Sequence, residues 1–288
     1  MKKNVVVIDG NKSEKMRTKS VIAIVLIVLA IFLLYNVVLI YVINKNFADE
    51  VSEFYRFNAN TIFSIDKIFF YSSAGATENA EKRAIWNLDL YQYTDIAIYI
   101  NNKSDDKLTN ENSIKELYID NIKFGNVQYG TPSLYYKNIN EFGKCIIKVD
   151  EDSESDETTQ SISDKLDYLI VNDGELDYSK PQMYADCSSP ITLEYVNKDI
   201  KENQIISDIS QNLTYNGSLL RQSSIILSTI ENYVSFTIHL TNQYDQKFIA
   251  NVYLDIPLED TITGETIYDG SFTKTIEKDN YIKFYRSE

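Results

Sequence analysis

Between Val21 and Ile43 the chain reads VIAIVLIVLAIFLLYNVVLIYVI, with no charge, no glycine and no proline, and with Asn36 as its one strongly polar side chain. At a helical rise of about 1.5 Å per residue this run covers about 34 Å, enough to cross a hydrocarbon core of about 30 Å with some tilt. In lipid every backbone polar group has to be satisfied within its own segment, so a run of this kind must be a helix. A helix of a soluble core would show a polar stripe at helical period, and none is visible. Secretory signals have shorter apolar regions that end at a small-residue cleavage site. Here NKNFADEVS follows instead, with one alanine. The segment is therefore expected to persist as an anchor.

Flanking charge sets the expected orientation. Residues 1–19 hold six basic side chains against Asp9 and Glu14, whereas residues 44–60 hold Lys45 and Arg56 against Asp49, Glu50 and Glu53. Basic residues are retained on the cytoplasmic side, which places the N-terminus inside and the rest of the chain outside. The expected organisation is a basic cytoplasmic tail at 1–19, a transmembrane anchor at 20–43 and a juxtamembrane stalk at 44–60. An extracytoplasmic domain occupies 61–288.

That outer region is strongly acidic: 22 basic against 40 acidic residues, a net of −18. Nucleic acid is excluded as a partner, because phosphate recognition needs Lys and Arg to displace counterions. With 44% hydrophobic and 12% aromatic residues, the chain can bury a real core, so long disorder is excluded for most of it. The abundance of Asn, Ile, Lys and Tyr fits an AT-rich bacterial genome.

Past the membrane run the hydrophobic period changes from helical to two. In YVSFTIHLTN, Val234, Phe236, Ile238 and Leu240 share one face; in FIANVYLDIP, Ala250, Val252, Leu254 and Ile256 do the same, and NQYDQ between them suits a hairpin. In TDIAIYINN, Ile96, Ile98 and Ile100 face one way and Asp95, Ala97 and Tyr99 the other. Further strands are expected at 62–71, 116–124, 133–137, 145–149, 191–196 and 281–285. Asp173-Gly174, Asn216-Gly217 and Asp269-Gly270 supply the positive φ of tight hairpin turns. The best helical signal beyond the membrane is 77–87, TENAEKRAIWN. Short strands punctuated by turns point to a sandwich or barrel. The fold expected is a single N-terminal transmembrane helix followed by a mainly-β extracytoplasmic domain, an antiparallel β-sandwich of Ig-like or jelly-roll-like kind. The polar stretch 150–164 is an acidic loop within it or a linker between two smaller domains.

No motif specifies a reaction. The acidic run 150–157 offers oxygen ligands that calcium would accept, but Ser155 and Ser161 stand where an EF-hand loop needs Gly and Glu. His239, the only histidine, lies on the polar face of its strand with no nucleophile turn nearby. Cys145 and Cys187 both fall in the outer region, where they form either a disulfide or two small buried residues. The sequons at Asn102, Asn212 and Asn216 matter only in a eukaryotic lumen. Trp86 and the 22 tyrosines suit either strands or an interface. Catalytic, cofactor-binding and metal-ligating residues are therefore assigned as none.

The function expected is that of a membrane-anchored extracytoplasmic binding protein of the bacterial cell envelope, in a scaffold, adhesion or assembly role. Its partners are the membrane, crossed once, and another envelope protein, with Asn36 offering a hydrogen bond for a homodimer through the helix. The rival readings are a ligand sensor that signals through the helix to the tail, and a surface enzyme acting on glycans.

Overall fold

The computed structural model describes residues 10–58, 62–78, 86–103, 108–146, 161–206 and 214–287. The chain forms two compact units, Met1–Ala59 and Asn60–Glu288.

The first unit is one helix, α1 (Gly10–Asn58). Its segment Val21–Phe47 has a mean hydropathy of 3.1, is long and apolar enough to cross a membrane, and has none of its length buried. An amphipathic core helix would bury one stripe; here the apolar side chains from Val21 to Ile43 are exposed all round. Asn36 satisfies itself locally, its Nδ2 donating to the Phe32 carbonyl at 2.8 Å.

The second unit is mainly β. Its strands are β1 (Ser64–Glu78), β2 (Trp86–Asn101), β3 (Ile114–Phe124), β4 (Thr131–Tyr136), β5 (Lys165–Val171), β6 (Gln182–Tyr184), β7 (Ile191–Ile206), β8 (Tyr233–Asn242), β9 (Lys247–Asp255), β10 (Phe272–Lys283) and β11 (Tyr285–Ser287), with a short helix α2 (Ser218–Gln222) before β8. They make a five-stranded sheet, β10-β1-β2-β7-β4, and a six-stranded sheet, β11-β9-β8-β3-β5-β6. The pairings are antiparallel apart from β5 with β6. Strands from before and after the acidic stretch are mixed in both sheets; residues 150–160 of that stretch, among them the acidic run 150–157 weighed for calcium, lie outside the described residues.

The two sheets share one core. Phe63, fully buried just ahead of β1, meets Phe248 of β9 edge-on at 5.2 Å and Phe284 at 6.3 Å. Phe284 is the corner where the chain leaves β10 in one sheet and enters β11 in the other. Tyr136 of β4 meets Tyr168 of β5 at 6.1 Å in the same manner. The alternation read from sequence in β8 and β9 places the core correctly: Val234, Phe236, Ile238, Leu240, Ala250, Val252, Leu254 and Ile256 are all buried.

Local signals mislead where long-range pairing competes with them. The helical pattern at 77–87 is overridden at both ends, since Thr77 and Glu78 close β1 and Trp86 and Asn87 open β2. The antiparallel ladder continues to Glu78↔Leu88, and its backbone bonds outweigh a weak helix propensity. Of the strand expected at 145–149, Cys145 and Ile146 belong to no strand, and the remainder is outside the described residues. None of the three glycine dipeptides makes the expected hairpin. Gly174 has φ +103, but β5 runs on to a parallel neighbour. Gly217 is right-handed, with φ −56, and starts α2. Gly270 has φ +129 and follows a 3-10 turn at Ile267–Asp269. Asn216-Gly217 and Asp269-Gly270 in fact meet each other: the Gly217 N–H donates to the Gly270 carbonyl at 2.6 Å, and a Cβ on Gly217 would strike the Ile267 carbonyl. Glycine is required there by close approach of two backbones.

Candidate functional site

Strands β2 and β7 sit inside their sheet, and on both of them the two faces are buried: Gln92–Ile98 and Ile191–Asn197 are inaccessible without a break. The inner face is the shared core. The outer face is covered by the segment 137–146, which leaves the end of β4, makes a 3-10 turn at Ile139–Glu141 capped by the Asn138 side chain, and lies back across the sheet. Cys145 and Ile146 pack there on a second, smaller cluster of Tyr93, Tyr135 and Val196.

Beneath this cover are three ionisable side chains. The sheet register sets Tyr71, Asp95, Glu194 and Tyr135 in one row across β1, β2, β7 and β4. Two carboxylates are thus direct cross-strand neighbours, an arrangement that repels unless a cation joins them. Lys137 is that cation. It continues the β4 ladder, its N–H donating to the Thr192 carbonyl at 3.2 Å while the Thr192 hydroxyl donates to the Lys137 carbonyl at 2.6 Å. The side chain turns back over the row. Lys137 Nζ lies 3.0 Å from Asp95 Oδ1 and 3.2 Å from Glu194 Oε2, and all three side chains are fully buried. The Lys137 ammonium also donates to the Lys144 carbonyl.

The covering segment supplies further donors. Gly143 N–H donates to Asp95 Oδ2 at 2.6 Å, and Ile146 N–H reaches both Glu194 oxygens at 3.3 Å. Gly143 has φ +79, a conformation that glycine adopts without a Cβ penalty. It aims its N–H at Asp95 while its carbonyl accepts from the Tyr93 hydroxyl at 2.9 Å. Asp95 Oδ1, by contrast, has no aligned hydrogen bond, although Lys137 Nζ stands 3.0 Å away.

Burial governs the electrostatics. Desolvation pushes Asp95 up to about 6, against the pull of Lys137 and the Gly143 N–H. Desolvation pushes Glu194 up to about 8, with Asp95 adding to the rise and Lys137 opposing it. Two negative groups around one positive one leave an uncompensated charge in a dry pocket, so one carboxyl holds its proton. The result is an amine in contact with the oxygens of two carboxyl groups, one of them protonated, shut away from water.

The features singled out from sequence lie elsewhere. His239 Nε2 is 2.9 Å from Asp120 Oδ1, and its ring stacks on Tyr118 at 4.3 Å. This is a partly buried pair on the neighbouring strands β3 and β8. Cys145 belongs to the small outer cluster and Cys187 packs on the main core, and no disulfide joins them. Burial raises the Cys187 thiol to about 12, the behaviour of an inert buried cysteine. Asn102 is buried and donates to the carbonyls of Asn112 and Asp186, and Asn216 accepts from Ser218, so these two sequon amides are engaged within the fold. Asn212 lies outside the described residues, as does the side chain of Trp86. Among the described residues no group of three or more His, Cys, Asp or Glu could hold a metal ion.

Sequence reading passed over Asp95, Lys137 and Glu194. The signal was present: each is the single charge in an apolar strand run, LYQYTDIAIYI, TPSLYYK and ITLEYV. Comparison with protein-family models, with curated proteins and with solved structures gives no match.

Proposed function

We propose that this chain is a single-pass protein of a bacterial cell envelope that displays a β-sandwich outside the membrane and acts by binding another envelope protein, as scaffold, adhesin or assembly factor. The observation that carries the reading is the helix segment Val21–Phe47, unburied and, from Val21 to Ile43, apolar on every side. Its basic N-terminal flank favours an inside tail, and the acidic outer domain then faces away from anionic lipid. Binding rather than turnover is favoured because the ionisable cluster is sealed beneath the 137–146 segment, with no path for an external substrate among the described residues.

A surface for a partner is available at one end of β7. A cavity of about 420 Å³ is lined by Tyr129, Ile200, Lys201 and Ile226 among others. Ile226 is 64% exposed and Tyr129 48% exposed on its rim, an aromatic and an aliphatic anchor of the kind that dominate interfaces. The test is cross-linking on intact cells that carry tagged full-length protein. One envelope protein should be recovered with it and be lost on Ile226→Asp. Recovery of the protein alone, from cells that display it at the surface, would refute the interaction role.

A further inference from the structure

We infer that Lys137 and Asp95 condense to an intramolecular amide, with Glu194 carrying the proton, so that a covalent bridge passes over β7 and ties β2 to the chain beyond β4. Lys137 Nζ lies 3.0 Å from Asp95 Oδ1, both side chains fully buried, so the amine is held in contact with the carboxyl group it would attack, the proximity that makes a reaction within one molecule fast. Lys137 Nζ faces Asp95 Oδ1 without the alignment of a hydrogen bond. The other oxygen, Oδ2, is held by the Gly143 N–H at 2.6 Å, a donor placed to stabilise the negative charge that gathers there when nitrogen adds to the carbon. Glu194 Oε2, 3.2 Å from the same nitrogen, is within reach for proton transfer.

The reaction balances within these three groups. A proton moves from the Lys137 ammonium to the Asp95 carboxylate, leaving three neutral groups, a change that a dry pocket favours. The Nζ lone pair then attacks Asp95 Cγ and a C–N bond forms. Glu194 takes a proton from Nζ and returns one to Oδ1. The Cγ–Oδ1 bond breaks with its electron pair going to oxygen, and one water leaves. An ammonium and a carboxylate become an amide and water, with no oxidant, reductant or external reagent. Exclusion of water by the covering segment removes the reagent for the reverse reaction. As a merely structural device an uneven set of buried charges is poor, since apolar residues of the same volume serve stability as well or better. As the precursor of a cross-link, each of the three residues has a task.

The test is the intact mass of purified full-length protein under denaturing conditions, read first on the wild-type chain, where the result needs no variant to fold. Condensation driven by proximity removes one water, so the expected mass is about 18 Da below that of the sequence. A protease digest should contain the peptides of Lys137 and Asp95 joined as one species. Lys137→Arg and Glu194→Gln should each restore the full mass and separate the two peptides. Wild-type protein at full sequence mass would overturn the proposal. So would a deficit that persists in Lys137→Arg, since dehydration at an Asp-Gly step such as Asp173-Gly174 gives the same loss without the lysine. A joined species in Glu194→Gln would overturn the role given to Glu194.

Discussion

Glu194 and Lys137 show how one buried position changes what a side chain does. Glu194 holds its proton more tightly in the folded chain than in the unfolded one, because burial raises it to about 8. The stability it contributes is therefore complete below its ordinary value of about 4.5 and is lost as pH rises through about 8. Between about pH 5 and about pH 9 the denaturant midpoint of wild type should fall by more than that of Glu194→Gln, whatever their difference at the lower pH. Replacing Lys137 by Met leaves Asp95 and Glu194 as facing carboxylates without a cation. Chemical denaturation of Lys137→Met should show a loss of about 3–5 kcal/mol, the usual cost of removing one partner from a buried ionic set.

At the scale of elements, the corner at Phe63 and the helix α1 make opposite demands. Phe63 bridges the start of β1, the strand β9 of the other sheet and the Phe284 corner. Phe63→Ala should cost about 3–5 kcal/mol in an unfolding titration, since the sheets cannot close over a lost ring. The helix Val21–Phe47 draws nothing from packing within its own unit and depends on its apolar surface. Leu29→Asp combined with Leu33→Asp adds two charges near the middle of the run, at about 2.5–3.5 kcal/mol each on insertion scales. Fractionation should then find the protein outside the membrane pellet. A double mutant that still partitions quantitatively with the membrane would count against the proposed anchor.

For the whole molecule, the proposed Lys137–Asp95 bond closes a loop of roughly 43 residues and, treated as a disulfide of that span, constrains the unfolded chain by about 4 kcal/mol. A second-sheet strand cannot substitute for it, because the bond lies on the outer face and links β2 to the far side of β7. In a domain of this size 1 kcal/mol corresponds to roughly 2–4 °C, so blocking the bond with Glu194→Gln should lower the melting temperature by about 10 °C. Scanning calorimetry of the two proteins measures this. Equal melting temperatures, in proteins whose masses differ as expected, would mean that the bridge adds no thermal stability.

The sequence by itself determined what depends on short range. An uninterrupted apolar run leaves the backbone of Val21–Ile43 no conformation but a helix. Alternation in YVSFTIHLTN and FIANVYLDIP named the core residues of β8 and β9, because successive side chains of a strand must face opposite ways. Only the tertiary structure decided what covers the second face. Alternation places Asp95 on the side away from Ile96 and Ile98, yet nothing local says whether that side meets water or the segment 137–146. It equally hides that Asn216-Gly217 serves a close approach to Gly270 rather than a hairpin. Successive members of Asp95, Lys137 and Glu194 are separated by roughly 40 to 60 residues along the chain, and their meeting is fixed by strand register and by one folded-over segment. Register is a property of paired strands, not of any one of them, so the three charges become one site only when the sheet has formed.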